Sequence, residues 1–377
     1  MDKARRLMRE GLAQGVFPGA VLHVRAAGEV RLLEAWGQAN IFSGQAMTPG
    51  TVFDLASLTK PLATAPAVLK LTQEGRPGLE DRLGDILPDF SHSDKHEITL
   101  ADLLRHRSGY PAHREYFRTL AAIPWSQRKA ALSRLLAAEP LAYPPGQKTV
   151  YSDLGYMVLR QVVETVSRQR LDCFVRQAIY EPLGVEGLFF PGRPHSAASM
   201  AARVAARVGA DFAATEQCPR RKLLLQGLVH DDNAYEIGGI DGQAGLFGTV
   251  TAVARFLEVL LEIYDDNYQE QYQGQQKQAV FTSETVRSLL IPRQKGQRPL
   301  GFDVPEEFCS SSGTLFSKLS AGHLGFTGTS MWLDIPRRVM VLLFTNRVHP
   351  DRSRDAIKFF RPELHQAVME DLLRAGV

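Results

Sequence analysis

Strand patterns lie near both ends of this chain and helical patterns fill its middle, and this restricts its possible folds more than any other feature. Residues 19–25 and 30–36 are apolar runs separated by Ala26, Ala27, Gly28 and Glu29, a hairpin signature. Residues 330–335 and 339–345 flank Pro336, Arg337 and Arg338 in the same manner, and residues 314–319 read as one more strand. A lone hairpin is only marginally stable in water, so strands from the two ends are expected to meet in one antiparallel sheet. Residues 132–138, 155–166 and 250–263 carry helical periodicity. Ala4, Leu7, Met8, Gly11 and Leu12 share one helical face, as do Leu364, Ala367, Val368 and Leu372. The expected fold class is α+β, an α/β sandwich with a mainly helical lobe inserted into it. The sheet domain is placed at residues 1–75 and 235–377, and the lobe at 76–234. A cleft between them is the natural place for a site.

With 377 residues there is chain enough for a large buried core. The net charge of +3 is small and the basic residues are scattered, which argues against nucleic acid or an anionic membrane as partner. Cys173, Cys218 and Cys309 are odd in number and widely spaced, so neither a disulfide framework nor a zinc pattern is expected. Lys3, Arg5 and Arg6 are followed by Gln14, Gly15 and Pro18 before any secretory-length apolar run, and a cytoplasmic protein is the expectation. The polar stretch 265–278 reads as an exposed loop or frayed helix.

Three groups of residues carry chemistry. Ser57 and Lys60 stand three apart at the start of an apolar segment that follows a strand-like stretch, residues 51–55. That spacing puts both on one helical face, and a serine hydroxyl needs such a neighbour to take its proton. The same spacing occurs at Ser126 and Lys129, where no strand precedes it; Ser126 is read as a helix N-cap. Tyr151 stands at a loop-to-helix junction, and beside a lysine ammonium its phenol is expected to ionise more easily. His323, Gly325 and Phe326 run into the strand at 330–335; the glycine would let a ligand approach the backbone, and His323 would offer a hydrogen bond or a positive charge. His92 and His96 are spaced like a helical metal pair but have no fitting third ligand, so no metal is expected. Residues 230–233 suit either a cleft-edge loop or a solvent turn. Pro66 should kink or interrupt the helix after Ser57.

In order, Ser57-x-x-Lys60, Tyr151-x-Asp153 and His323-x-Gly325 resemble the three signatures of the serine β-lactamase family of class C, the D-alanyl-D-alanine carboxypeptidases and related esterases. Flanking residues match as well, among them Leu104-x-His106-x-Ser108-Gly109, Pro145-Gly146, Glu181-Pro182-Leu183-Gly184 and residues 242–247. The resemblance implies an acyl-enzyme on Ser57, proton transfer shared by Lys60 and Tyr151, and an oxyanion hole from the N–H groups of Ser57 and Phe326. Asp153, His323 and Gly325 would bind substrate. No cofactor is implied, and no P-loop or dinucleotide glycine pattern occurs. Position 153 is aspartate where the lactamases usually carry asparagine, and histidine replaces a common lysine at 323. A carboxylate at 153 should hold Lys60 protonated and shift the base role towards Tyr151. These departures favour peptidase or esterase action on a small amide or ester over efficient β-lactam hydrolysis. The alternative is a catalytically silent binding protein that keeps the fold.

Overall fold

A computed structural model describes residues 1–192, 211–265, 280–292, 294, 297–306 and 310–376. The main sheet has six strands, numbered here in chain order: β1 (Gly19–Ala26), β2 (Glu29–Asn40), β3 (Gln45–Ala46), β4 (Ser320–Leu324), β5 (Ser330–Asp334) and β6 (Val339–Thr345). Their spatial order is β3-β2-β1-β6-β5-β4, every pairing antiparallel. The two ends of the chain meet where β1 pairs with β6, Ala20 opposite Thr345 through Ala26 opposite Val339. The first hairpin turns on Ala27 (φ +50°) and Gly28 (φ +81°), the doubly left-handed turn that matches strand twist. The strand expected at 314–319 is not one. Those residues form turns, Leu319 is half exposed, and the strand starts at Ser320.

Alternation in the central strands is hidden in sequence because both faces of the sheet are covered. Ala20, Leu22 and Val24 of β1 and Val339, Val341 and Leu343 of β6 face the helices Asp2–Ala13 and Ile357–Arg374, against Met8, Phe360, Leu364 and Val368. Val21, Met340, Leu342 and Phe344 point the other way, towards the helix Val250–Tyr264. Further helices fill the middle of the chain, including Arg128–Ala138 and Asp153–Ser167. Ser126 does not cap the first of these. It lies in a 3-10 turn (Trp125–Gln127), and the helix begins at Arg128 without a side-chain cap. His96 packs against the carboxylates of Asp85 and Glu97. Cys173 and Cys218 are free thiols, whereas Cys309 and residues 266–278 of the polar stretch lie outside the described residues. No helix among the described residues is long and apolar enough to cross a membrane.

One contact ties the helical region to the site. Arg160 is buried and pairs with Asp241 at 2.8 Å, and Asp241 in turn accepts the Gly242 N–H at 2.8 Å. A Cβ on Gly242 would stand 1.9 Å from the carbonyl oxygen of Tyr156 in the helix Asp153–Ser167. Substituting Gly242→Ala should therefore destabilise the protein by roughly 1–3 kcal/mol through overpacking. Chemical denaturation measures this, and an unchanged midpoint would contradict the close approach.

Candidate active site

Ser57 sits in a 3-10 turn (Ala56–Leu58) just after the short strand Phe53–Asp54. Ala56 has φ +47°, a left-handed conformation that costs a non-glycine residue about 1–2 kcal/mol. The buried carboxylate of Asp54 holds this turn: Oδ1 accepts the Ala56 N–H at 2.9 Å and Oδ2 accepts the His230 N–H at 2.6 Å. Thr59 Oγ1 adds a bond to the Ala56 carbonyl at 2.6 Å and accepts the Leu246 N–H at 3.1 Å. The chain then widens into one π-helical turn (Lys60–Thr64) before the α-helix Ala65–Gln73, with Pro66 in its first turn, where a missing N–H does no harm. The interruption expected at Pro66 is this change of helix type.

Lys60 is fully buried, and its ammonium donates to three groups from three parts of the chain. These are Ser57 Oγ at 3.0 Å, Asp153 Oδ1 at 2.7 Å and the Gln243 carbonyl at 3.3 Å. Burial alone would push its pKa down, but the charge of Asp153 prevails and holds it above the ordinary lysine range. Asp153 opens the helix Asp153–Ser167, where the helix dipole favours a carboxylate. Burial opposes its ionisation, yet Lys60 and His113 hold it below the usual carboxylate range. Its Oδ2 meets His113 Nδ1 at 3.3 Å, and that bond raises the His113 pKa.

Tyr151 stands over the same ammonium, with Lys60 Nζ 4.8 Å from its ring centroid. Its ring stacks on His106 at 4.6 Å, and His106 Nδ1 accepts the Ser152 N–H at 3.1 Å, which fixes the loop entering the helix. The expected lowering of its pKa is not found. Burial pushes the phenol up to about 12, helped by the charge of Asp153, while Lys60 and Ser57 pull only part of the way back.

His323 lies across the cleft in β4, its ring 5.9 Å from that of Tyr151. It does not offer the positive charge considered from sequence, because burial lowers its pKa to about 4. Nδ1 lies 2.9 Å from the Leu324 carbonyl, so the proton of the neutral ring is on Nδ1. Nε2 is then an acceptor, buried and without a protein partner among the described residues. Gly325 is needed for a reason other than ligand approach. A Cβ there would stand 2.0 Å from Thr329 Oγ1 and 2.8 Å from the Leu55 carbonyl, so the glycine lets this turn close onto the turn that carries Ser57. Two buried arginines clamp the turn from behind. Arg361 donates to the carbonyls of Gly325 and Thr329 at 3.0 and 2.9 Å, and Arg347 donates to that of Phe326 at 2.6 Å. Phe326 itself is half exposed at the cleft. Neither the Ser57 nor the Phe326 N–H donates to a protein acceptor among the described residues.

Ser57, Tyr151, Asp153, His323, Gly325 and Phe326 all line one cleft of about 670 Å³, with Lys60 buried behind Ser57. Residues 230–233 line it too, which decides between the two readings of that segment. Sequence reasoning missed Asp54, His113, Gln243, Arg347 and Arg361. A polar residue inside a strand signal marked Asp54; the other four are placed by contacts distant in sequence. A model of the beta-lactamase family matches residues 4–365. The chain belongs to that family. It is a serine hydrolase of the beta-lactamase type, and its fold is the one expected for that family.

Among curated relatives is an Escherichia coli K12 protein named "Putative D-alanyl-D-alanine carboxypeptidase", 30% identical over 357 residues, which cover 88% of this chain and 79% of that protein. Solved structures with the same fold include an octameric penicillin-binding protein homologue from Pyrococcus abyssi (TM-score 0.71, 19% identity, 98% of this chain and 77% of that one). Another is EstCE1, described as a hydrolase with promiscuous acyltransferase activity (TM-score 0.69, 19% identity, 98% of each chain).

The Asp153 carboxylate is the partner that keeps buried Lys60 charged. In Asp153→Asn that counter-charge is gone while burial remains, so the Lys60 pKa falls. NMR titration should find the Lys60 pKa lower in Asp153→Asn than in the native protein by about 1–3 units. A lysine that titrates no earlier in the variant would contradict the pairing.

Proposed function

We propose that this enzyme hydrolyses a small amide or ester through an acyl-enzyme on Ser57, as a peptidase or esterase in preference to an efficient β-lactamase. The observation that carries the reading is the three-way grip of Lys60 Nζ on Ser57 Oγ, Asp153 Oδ1 and the Gln243 carbonyl at the head of the cleft. The relative named as a carboxypeptidase and the neighbour described as a hydrolase with acyltransferase activity support it.

Ser57 Oγ bonds to the acyl carbon as its proton leaves to Tyr151, whose phenolate is scarce but strongly basic. Lys60 stays an ammonium and stabilises the charge that develops on both oxygens. The carbonyl oxygen turns towards the N–H groups of Ser57 and Phe326. Collapse breaks the C–N or C–O bond, and the leaving group takes the proton from Tyr151. Water then adds to the ester, giving its proton to the same phenolate, and Ser57 regains a proton as the acid departs. Asp153, His323 and Gly325 shape the substrate side of this centre.

Incubation with a fluorophosphonate followed by mass spectrometry should place the adduct on Ser57. Ser57→Ala should lower hydrolysis of a p-nitrophenyl ester by at least about 10³-fold. Full hydrolysis by Ser57→Ala would overturn the reading, and so would an adduct located elsewhere.

A further inference from the structure

The wall of the cleft beside Lys60 is built of acceptors. Asp231 lines it, and among the described residues its carboxylate has no basic side chain within ion-pair distance; its bonds are to the Ala234 N–H at 2.7 Å and Gln243 Nε2 at 3.2 Å. A carboxylate only accepts, so the Gln243 amide must turn its nitrogen to Asp231. That leaves Gln243 Oε1 as a second acceptor, and it is buried with no partner although the residue lines the cleft. Asp153 adds a third acceptor, its two oxygens meeting Lys60 Nζ at 2.7 Å and His113 Nδ1 at 3.3 Å. All this lies next to the nucleophile, because the Gln243 carbonyl meets the ammonium that also meets Ser57 Oγ.

A buried amide oxygen without a donor is costly unless a ligand supplies the hydrogen, and a cleft-lining carboxylate with no cation beside it among the described residues adds the charge to hold one. We propose that Asp231, Gln243 Oε1 and Asp153 bind a substrate ammonium, so that the preferred acyl donor is an amide or ester of an amino acid with a free α-amine. The proposal rests on the Ser57 acyl-enzyme reading. An α-ammonium stands two bonds from the acyl carbon, which suits a corner one residue away from Ser57, and its three N–H groups match three acceptors. An N-acylated substrate would bring a carbonyl to the same corner and meet oxygens. Burial and the charge of Asp153 hold the Asp231 pKa up to about 6, and a bound cation would bring it down.

The test compares kcat/KM for D-alanine p-nitroanilide and N-acetyl-D-alanine p-nitroanilide. The free amine should be preferred by at least about tenfold, and Asp231→Asn should reduce that preference by a similar factor, mainly through KM. Asparagine caps the helix Asp232–Glu236 as aspartate does, and fluorophosphonate labelling of Ser57 reports an intact site. As a measurement free of any variant, D-alaninamide should inhibit ester hydrolysis by the native enzyme more strongly than N-acetyl-D-alaninamide. Equal or better turnover of the acetylated anilide overturns the proposal, as does an unaltered preference in labelled Asp231→Asn. Labelling of Ser57 without turnover of either anilide also overturns it and leaves the serine reading standing. No labelling of Ser57 in the native enzyme removes both.

Discussion

The structure depends on how a buried lysine charge is satisfied. An ammonium removed from water costs several kcal/mol unless its hydrogens and its charge are both matched, and Lys60 is fully buried. Its three partners come from the turn before it, from the start of the helix Asp153–Ser167 and from the loop at Gln243. Losing any one would leave a donor unpaired in a low dielectric. The charge therefore acts as a register mark that brings remote segments to one point, and Ser57 is part of the same arrangement.

Each segment is in turn held by a buried polar contact. Asp54 ties the strained turn before Ser57 to the backbone of His230, on the wall that carries Asp231. Arg160 reaches from the helix that begins with Asp153 to Asp241, two residues before Gln243, so two of the three Lys60 partners share one support. Arg361 and Arg347 fix the turn at Gly325 and Phe326 through carbonyls alone, without adding a carboxylate there. Thr64 Oγ1 closes the set by donating to the Gly242 carbonyl at 2.7 Å.

Much of this was legible in sequence, for identifiable reasons. The sheet could be read because its strands are short apolar runs with turn residues between them, and β1 and β6 had no other partner for their edges. Ser57, Lys60, Tyr151 and His323 could be read because their order and spacing are local to each motif. The strand at 314–319 was misplaced because Leu315 and Phe316 are apolar for a different reason: they cover the Trp332 side of the sheet from a turn. The ionisation of Tyr151 and His323 was misjudged because a sequence shows the neighbouring charge but not the burial, and burial prevails at both. His113 carries no local signal, and Gln243 lies in a segment that resembles the family without being marked as a site residue; only the fold brings them to Asp153 and Lys60.

Together the two departures from the family pattern change the charge of the reacting corner. Aspartate in place of asparagine adds a negative charge, and a histidine held neutral in place of lysine removes a positive one. Lys60 is already matched by Asp153, Arg361 and Arg347 are committed to carbonyls behind the 325–329 turn, and Arg352 and Lys358 at the cleft pair with Glu216 and Asp355. A substrate carboxylate brought to His323 would meet the acceptor Nε2 of a neutral ring in place of a cation. Penicillins carry such a carboxylate, which is why we propose an amide or ester substrate in preference to a β-lactam.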